Sequence, residues 1–149
     1  MNFKAIVIGG LVYYIVTFLL GMASGMIIHE GVLAETYKAT ATFWRPELMA
    51  VPPDMAALMP LWITTGLILS LIFAALYSTF GKALVGPGWQ RGLWFGVAFG
   101  IFVAALYATM YGVFNLPGLV WIYWAIEGIV LTSLSAAVMG WATERFAGV

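Results

Sequence analysis

From Ala5 to Ile28 the chain runs without a single charged residue. A helix needs roughly 20 apolar residues to cross the hydrocarbon of a bilayer. Three more stretches meet that length, from about Leu58 to Phe80, Gly92 to Phe114, and Leu119 to Ala142. The last contains one ionisable group, Glu127. Together the four stretches take up most of the 149 residues and leave no room for a separate soluble domain. They predict an all-α polytopic membrane protein: one four-helix transmembrane bundle over residues 1–149, with an amphipathic outer loop between helices one and two.

Composition excludes the alternatives. Only 8% of residues are charged and 64% are hydrophobic, whereas a soluble domain carries about 25% charged residues. A disordered chain would be polar and poor in aromatics, yet 16% of this one is aromatic. The formal net charge is zero, so no basic field attracts nucleic acid. Cysteine is absent, which excludes disulfides, thiolate metal sites and cysteine nucleophiles. Lys4 ahead of an apolar run, with Ala23, Ser24 and Gly25 at its end, imitates a signal peptide. The run is too long for a signal core of about 7–15 residues, so a retained helix is expected.

Lys4, Lys82, Arg91 and Arg145 fall on one side of the spans; Lys38 and Arg45 fall on the other, beside Glu30, Glu35, Glu47 and Asp54. The excess of Lys and Arg predicts both termini cytoplasmic and the long loop outside; the membrane expected is the bacterial inner one. Gly81 suits a helix C-cap, Gly86-Pro87-Gly88 a turn, and Asp54 an N-cap. In the long loop Leu33, Tyr37, Thr40 or Ala41, and Trp44 recur at about 3.6 residues. This predicts an amphipathic helix, lying at the interface or folded back over the bundle, that ends at Arg45-Pro46. Arg45 is expected to pair with Glu47 or Glu30, or to be solvated.

Helices in lipid associate through small residues that let backbones approach. The third span carries Gly92, Gly96, Gly100, Ala104, Ala108 and Gly112, small residues at every fourth position. The other spans offer Gly128, Thr132, Ala136 and Gly140; Gly66, Ser70, Ala74 and Ser78; and Thr17, Gly21 and Gly25. These ridges are expected to pack the bundle or to meet another subunit. The tryptophans mostly fall near span ends, as interfacial belts do; a pigment or quinone stacked on the aromatics is the alternative.

Glu127 is the most informative polar residue. It sits about 12 Å below the outer boundary at 1.5 Å per residue, where a carboxylate costs roughly 2.5–3.5 kcal/mol. The same depth on the other helices holds Thr64 and Thr65, Tyr107, and Gly21 with Ser24. None is cationic, so a Glu127 that keeps its proton and bonds a hydroxyl or carbonyl is expected. Proton or cation handling, a partner contact and a bound cofactor are the alternatives. His29 and Glu30, at the outer end of the first span, are candidate metal or cofactor ligands, with Glu127 as a third. His29 is the only histidine, so bis-histidine haem ligation within the chain is impossible; a single axial position, or a simple hydrogen-bonded role, stays open. No catalytic residue is assigned: HExxH, the P-loop and the dinucleotide fingerprint are all missing. The four-span glutathione-transferase arrangement would need an intramembrane Arg and Asn, which these spans lack.

The stretch IIHEGVLAETYKATATFWRPELM, Ile27 to Met49, resembles a group of small bacterial four-span proteins of unassigned activity. In that group the first span ends in a His, followed by a Tyr, an Ala-Thr pair and a Trp-Arg-Pro. Here these are His29, Tyr37, Ala39, Thr40, Trp44, Arg45 and Pro46, and Glu127-Gly128 is similar to the group's fourth-span pattern. The resemblance implies span order and loop lengths, not an activity. Glu30 stands where the group often has Gly, which weakens any transfer of a role to His29.

Three functions follow as expectations. The first is an accessory subunit of a larger respiratory or photosynthetic membrane complex. The second is a small proton- or cation-coupled transporter using Glu127. The third is a cofactor- or lipid-binding protein using His29 and the aromatic rim. Lipid, and either protein partners or further copies of the chain, are the expected partners; no cofactor is named.

Overall fold

The computed structural model describes residues 2–148, and among them there is no strand. Helix α1 (Phe3–Ser24) runs on as a π-helical segment, Gly25–Val32. The long loop holds α2 (Ala34–Ala39), a 3-10 turn (Ala41–Phe43) and α3 (Pro46–Met49). Helices α4 (Met55–Phe80), α5 (Gly88–Tyr111) and α6 (Gly118–Ala147) complete the fold. Four helical stretches are long and apolar enough to cross a membrane: Phe3–Val32, Met55–Ala83, Gly88–Tyr111 and Gly118–Ala147. This is the expected all-α polytopic architecture.

Caps set the helix limits. Asn2 accepts from the Ala5 amide at 3.2 Å and Asp54 from the Ala57 amide at 3.1 Å, each satisfying a donor that the first turn leaves open. Gly81 does end α4, but in the right-handed region, φ −61°. Its smallness matters instead, because a Cβ there would lie 2.7 Å from the Tyr77 ring. The left-handed backbone falls at Gly86, φ +113°. Helix α5 stops three residues short of the expected Phe114, where Val113 and Phe114 both turn back onto the Met110 carbonyl.

The tightest contact joins α5 to α6. A Cβ on Gly92 would collide with the Ala136 carbonyl oxygen, and one on Gly140 with the Gly88 carbonyl. On Gly96 it would lie 2.6 Å from the Thr132 carbonyl, and on Gly100 2.8 Å from the Ile129 Cα. The ridge thus starts one turn earlier than expected, at Gly88, and ends at Gly100. Ala104 is half-buried, while Ala108 and Gly112 are exposed. Each step of four residues advances the face by about 40°, so the outer members of the series rotate away from α6 as the helices separate. At Gly128, on the outer part of α6, the nearest atoms to a Cβ are Val103 and Tyr107, at 3.7 and 3.8 Å.

Helix α1 lies between α4 and α6. Gly9 makes that approach, facing Thr143, Ala74 and Met139, together with Gly10 against Leu71. The expected first-span glycines do not: around Gly21 nothing lies within 4 Å of a Cβ, and at Gly25 the nearest atom is His29 Cδ2 at 4.0 Å. Buried Ser70, Ala74 and Ser78 form the α4 side of the core, as expected, and Gly66 admits the Tyr14 ring. Helices α4 and α5 meet through rings: Phe73 packs on Phe95 at 5.0 Å and on Phe99 at 5.3 Å, with Tyr13 on Phe73 at 4.4 Å. This plug fills the end where the termini gather, closed off by Asn2 to the Ala147 carbonyl (3.4 Å) and by Arg91 with Glu144 (3.3 Å). The loop end is looser.

Gly92→Leu should therefore destabilise the bundle by at least the ~1–3 kcal/mol of an overpacked core, because the obstacle is backbone. Gly112→Leu should be near neutral. Thermal unfolding in one detergent compares the two; equal midpoints would show that the α5–α6 contact is not close-packed.

Candidate functional site

The site begins with an irregular helix. At the end of α1 the backbone bonds reach five residues back; the Leu33 amide donates to the Ile28 carbonyl at 2.8 Å. In an α-helix, residues five apart point about 140° away from each other. In a π-helix they approach one face, and π turns often accompany functional sites. Ser24 and His29 are such a pair, and both reach Glu127 on α6. The Ser24 hydroxyl contacts Glu127 Oε1, and His29 Nε2 lies 3.0 Å from Oε2. The Glu127 side chain is 12% exposed and that of His29 34%.

The far side of the imidazole is held by the loop. His29 Nδ1 is 2.7 Å from the Tyr37 hydroxyl, which accepts from Trp124 Nε1 at 2.9 Å. Trp44 stands edge-on to both Tyr37 and Trp124, at 4.8 and 5.9 Å, and Phe43 packs on Phe114. Of the two expected dispositions, the loop takes the folded-back one. Its helix is broken at Thr40 and again after Phe43, with extended backbone at Trp44 and Arg45.

The network has a direction. Indole N–H can only donate, so Tyr37 accepts from Trp124; a phenol can donate or accept a second bond, and we assign its own proton to Nδ1. Burial pushes the Tyr37 phenol up; the Trp124 bond opposes this and the Glu127 charge adds to it, so the phenol keeps that proton. His29 then carries its hydrogen on Nε2 and donates to Glu127, a tautomer assigned by the network. Ser24 has one hydrogen and two acceptors, Glu127 Oε1 and the Gly21 carbonyl at 3.1 Å. Two states keep both Glu127 oxygens hydrogen-bonded. Either Glu127 is ionised and accepts from both Ser24 and His29, or it is protonated, donates to Ser24, and Ser24 donates to Gly21. They differ by one proton on Glu127.

The pair faces an open surface groove of about 400 Å³ whose walls include Gly21, Tyr107, Trp124 and Gly128. Tyr107 packs on Trp124 at 5.8 Å and on Trp121 at 6.3 Å. Thr64 and Thr65 are elsewhere: exposed, their hydroxyls bonded at 2.8 Å to the Pro60 and Leu61 carbonyls of their own helix. Depth along the helix placed them at the level of Glu127, but their face of α4 points outward. Glu30 is exposed, and among the described residues no three His, Asp or Glu gather as a metal site would need. The expected set of His29, Glu30 and Glu127 is not assembled, and both imidazole nitrogens are engaged within the chain. Arg45 pairs with Glu47 at 3.0 Å, and the bond from Arg45 holds the Glu47 carboxyl below its usual range. Ser24 touches the carboxylate rather than the imidazole, so the set is not a nucleophilic triad. Sequence reasoning passed over Trp124; its place three residues before Glu127, on the same helical face, was the available signal.

Compared with protein-family models, curated proteins and solved structures, the chain gives no match.

The single histidine gives a clean test. In protein labelled with 15N-histidine, the imidazole should be the Nε2–H tautomer at neutral pH. Tyr37→Phe removes the donor to Nδ1 and should bring in the Nδ1–H tautomer or the doubly protonated ring. An Nδ1–H imidazole in the wild type would contradict the direction of the network.

Proposed function

We propose that the chain is a small proton-coupled carrier of the bacterial inner membrane that works at Glu127. The observation that carries this reading is the part-buried carboxyl, bonded on one oxygen by a hydroxyl and on the other by an imidazole, on the wall of an open groove. The carboxyl has two hydrogen-bonded states a single proton apart, as a group that loads and releases protons requires.

The groove lies toward the loop end, and the Tyr13, Phe73 and Phe95 plug fills the opposite end. This supports a resting form open to the outside, with both termini cytoplasmic as the Lys and Arg bias favours. An accessory subunit is supported less well. From Gly88 to Gly100 the main small-residue ridge is filled by α6 of the same chain, leaving Ala108 and Gly112 as its unpartnered remainder.

A test needs no substrate. In proteoliposomes on a solid-supported membrane, a pH jump should give a transient charge movement in the wild type. Glu127→Gln should reduce it at least tenfold, with folding retained. Thr64→Ala, a change on the outward face of α4, should leave it intact. Equal transients in wild type and Glu127→Gln would overturn the reading.

A further inference from the structure

We infer that the groove beside Glu127 binds a small hydrophobic organic cation, an amine or quaternary ammonium, with its head between the carboxylate and the Tyr107 and Trp124 rings. The inference rests on the proton site above and names what exchanges with the proton. Four features carry it.

The first is charge. Among the described residues that line the groove, Glu127 is the one carboxylic acid and none is Lys or Arg. Each Glu127 oxygen has one protein partner at hand, and an ionised carboxylate offers about four acceptor sites. Capacity for a further positive group therefore remains.

The second is the wall. Tyr107 and Trp124 stand edge-to-face with centroids 5.8 Å apart. Both rings line the groove, and aromatic faces attract cations that lack hydrogens to donate. A bare metal ion would want three or more oxygen or nitrogen ligands, and no such group gathers among the described residues.

The third is room. The open groove offers about 400 Å³, and its walls at Gly21 and Leu131 are apolar. An alkyl or aryl group can lie there while the head meets Glu127.

The fourth is the approach. The loop end carries Glu30, Glu35, Glu47 and Asp54 against Lys38 and Arg45. Both bases are already paired, Lys38 with Glu35 at 2.7 Å and Arg45 with Glu47 at 3.0 Å. The remaining field is acidic and draws cations toward the mouth.

Proton and cation compete for one carboxylate, so where Glu127 carries its proton, cation binding releases it. The titratable groups facing Glu127 are His29 from the π-helical segment, Tyr37 from α2 and Tyr107 from α5. Of these only His29 can add positive charge, and its protonation would oppose the cation in the same direction as protonation of Glu127.

The probe is benzyltrimethylammonium, with its uncharged isostere neopentylbenzene as control, added to purified full-length protein in nanodiscs. Binding is read from the His29 15N signal and from tryptophan fluorescence. The cation should bind saturably and weaken up to tenfold per pH unit of acidification once Glu127 is protonated. Glu127→Gln should weaken it at least tenfold. Gly21→Leu, built into open space, should also weaken it tenfold or more. Equal binding of neopentylbenzene, or undiminished cation binding in Glu127→Gln, would overturn the inference. If the cation fails to bind while the pH-jump transient persists, the cation site is wrong and the proton site stands. If both fail, the proton reading falls as well.

Discussion

A carboxyl group inside a bilayer cannot borrow hydrogen bonds from water, so the protein has to supply them or carry the full desolvation cost. Glu127 imposes that requirement on this chain. It is met by Ser24 and His29, and meeting it takes a departure from α-helical winding at the end of α1. His29 is held in turn by Tyr37, and Tyr37 by Trp124. The outer loop is therefore tied down by the same chain of hydrogen bonds that satisfies the part-buried acid. One electrostatic demand at mid-depth shapes a helix end, a loop and a groove.

The two ends of the bundle are built differently. Toward the termini, glycine backbones on α5 abut α6, and a cluster of rings fills the space between α4 and α5. Close packing of this kind is rigid and transmits little freedom. Toward the loop, α5 and α6 separate, Gly21 and Gly128 leave space rather than fill it, and the groove opens. The rigid end gives the working end a fixed frame, and the polar network supplies the alternatives that packing cannot.

The four helices were legible because hydropathy is a local property and lipid tolerates few other solutions. Gly92, Gly96 and Gly100 were legible as a contact face for the same reason, since only small residues permit such an approach. The outer half of that series was not, because a four-residue repeat drifts around the helix and the sequence does not state where two helices part. Thr64 and Thr65 show the same limit: depth follows from counting, but the direction a residue faces depends on neighbours. Glu127, His29 and Tyr37 each stood out singly. Their union did not, because regular winding turns His29 away from Ser24 and no residue pattern announces the π-helical segment. Gly21 was expected to pack a helix and instead leaves space beside the pair.

The central claim is that Glu127 exchanges a proton between two hydrogen-bonded states. Infrared difference spectroscopy of wild type against Glu127→Gln tests it most directly, because a neutral carboxylic acid and a carboxylate absorb apart. The account predicts a carboxylic-acid band, absent in Glu127→Gln, that converts reversibly into carboxylate as pH rises across the range in which the bundle stays folded. Ser24→Ala should shift that band, because it removes the acceptor of the acid's proton. A Glu127 fixed in one protonation state throughout that range would contradict the account.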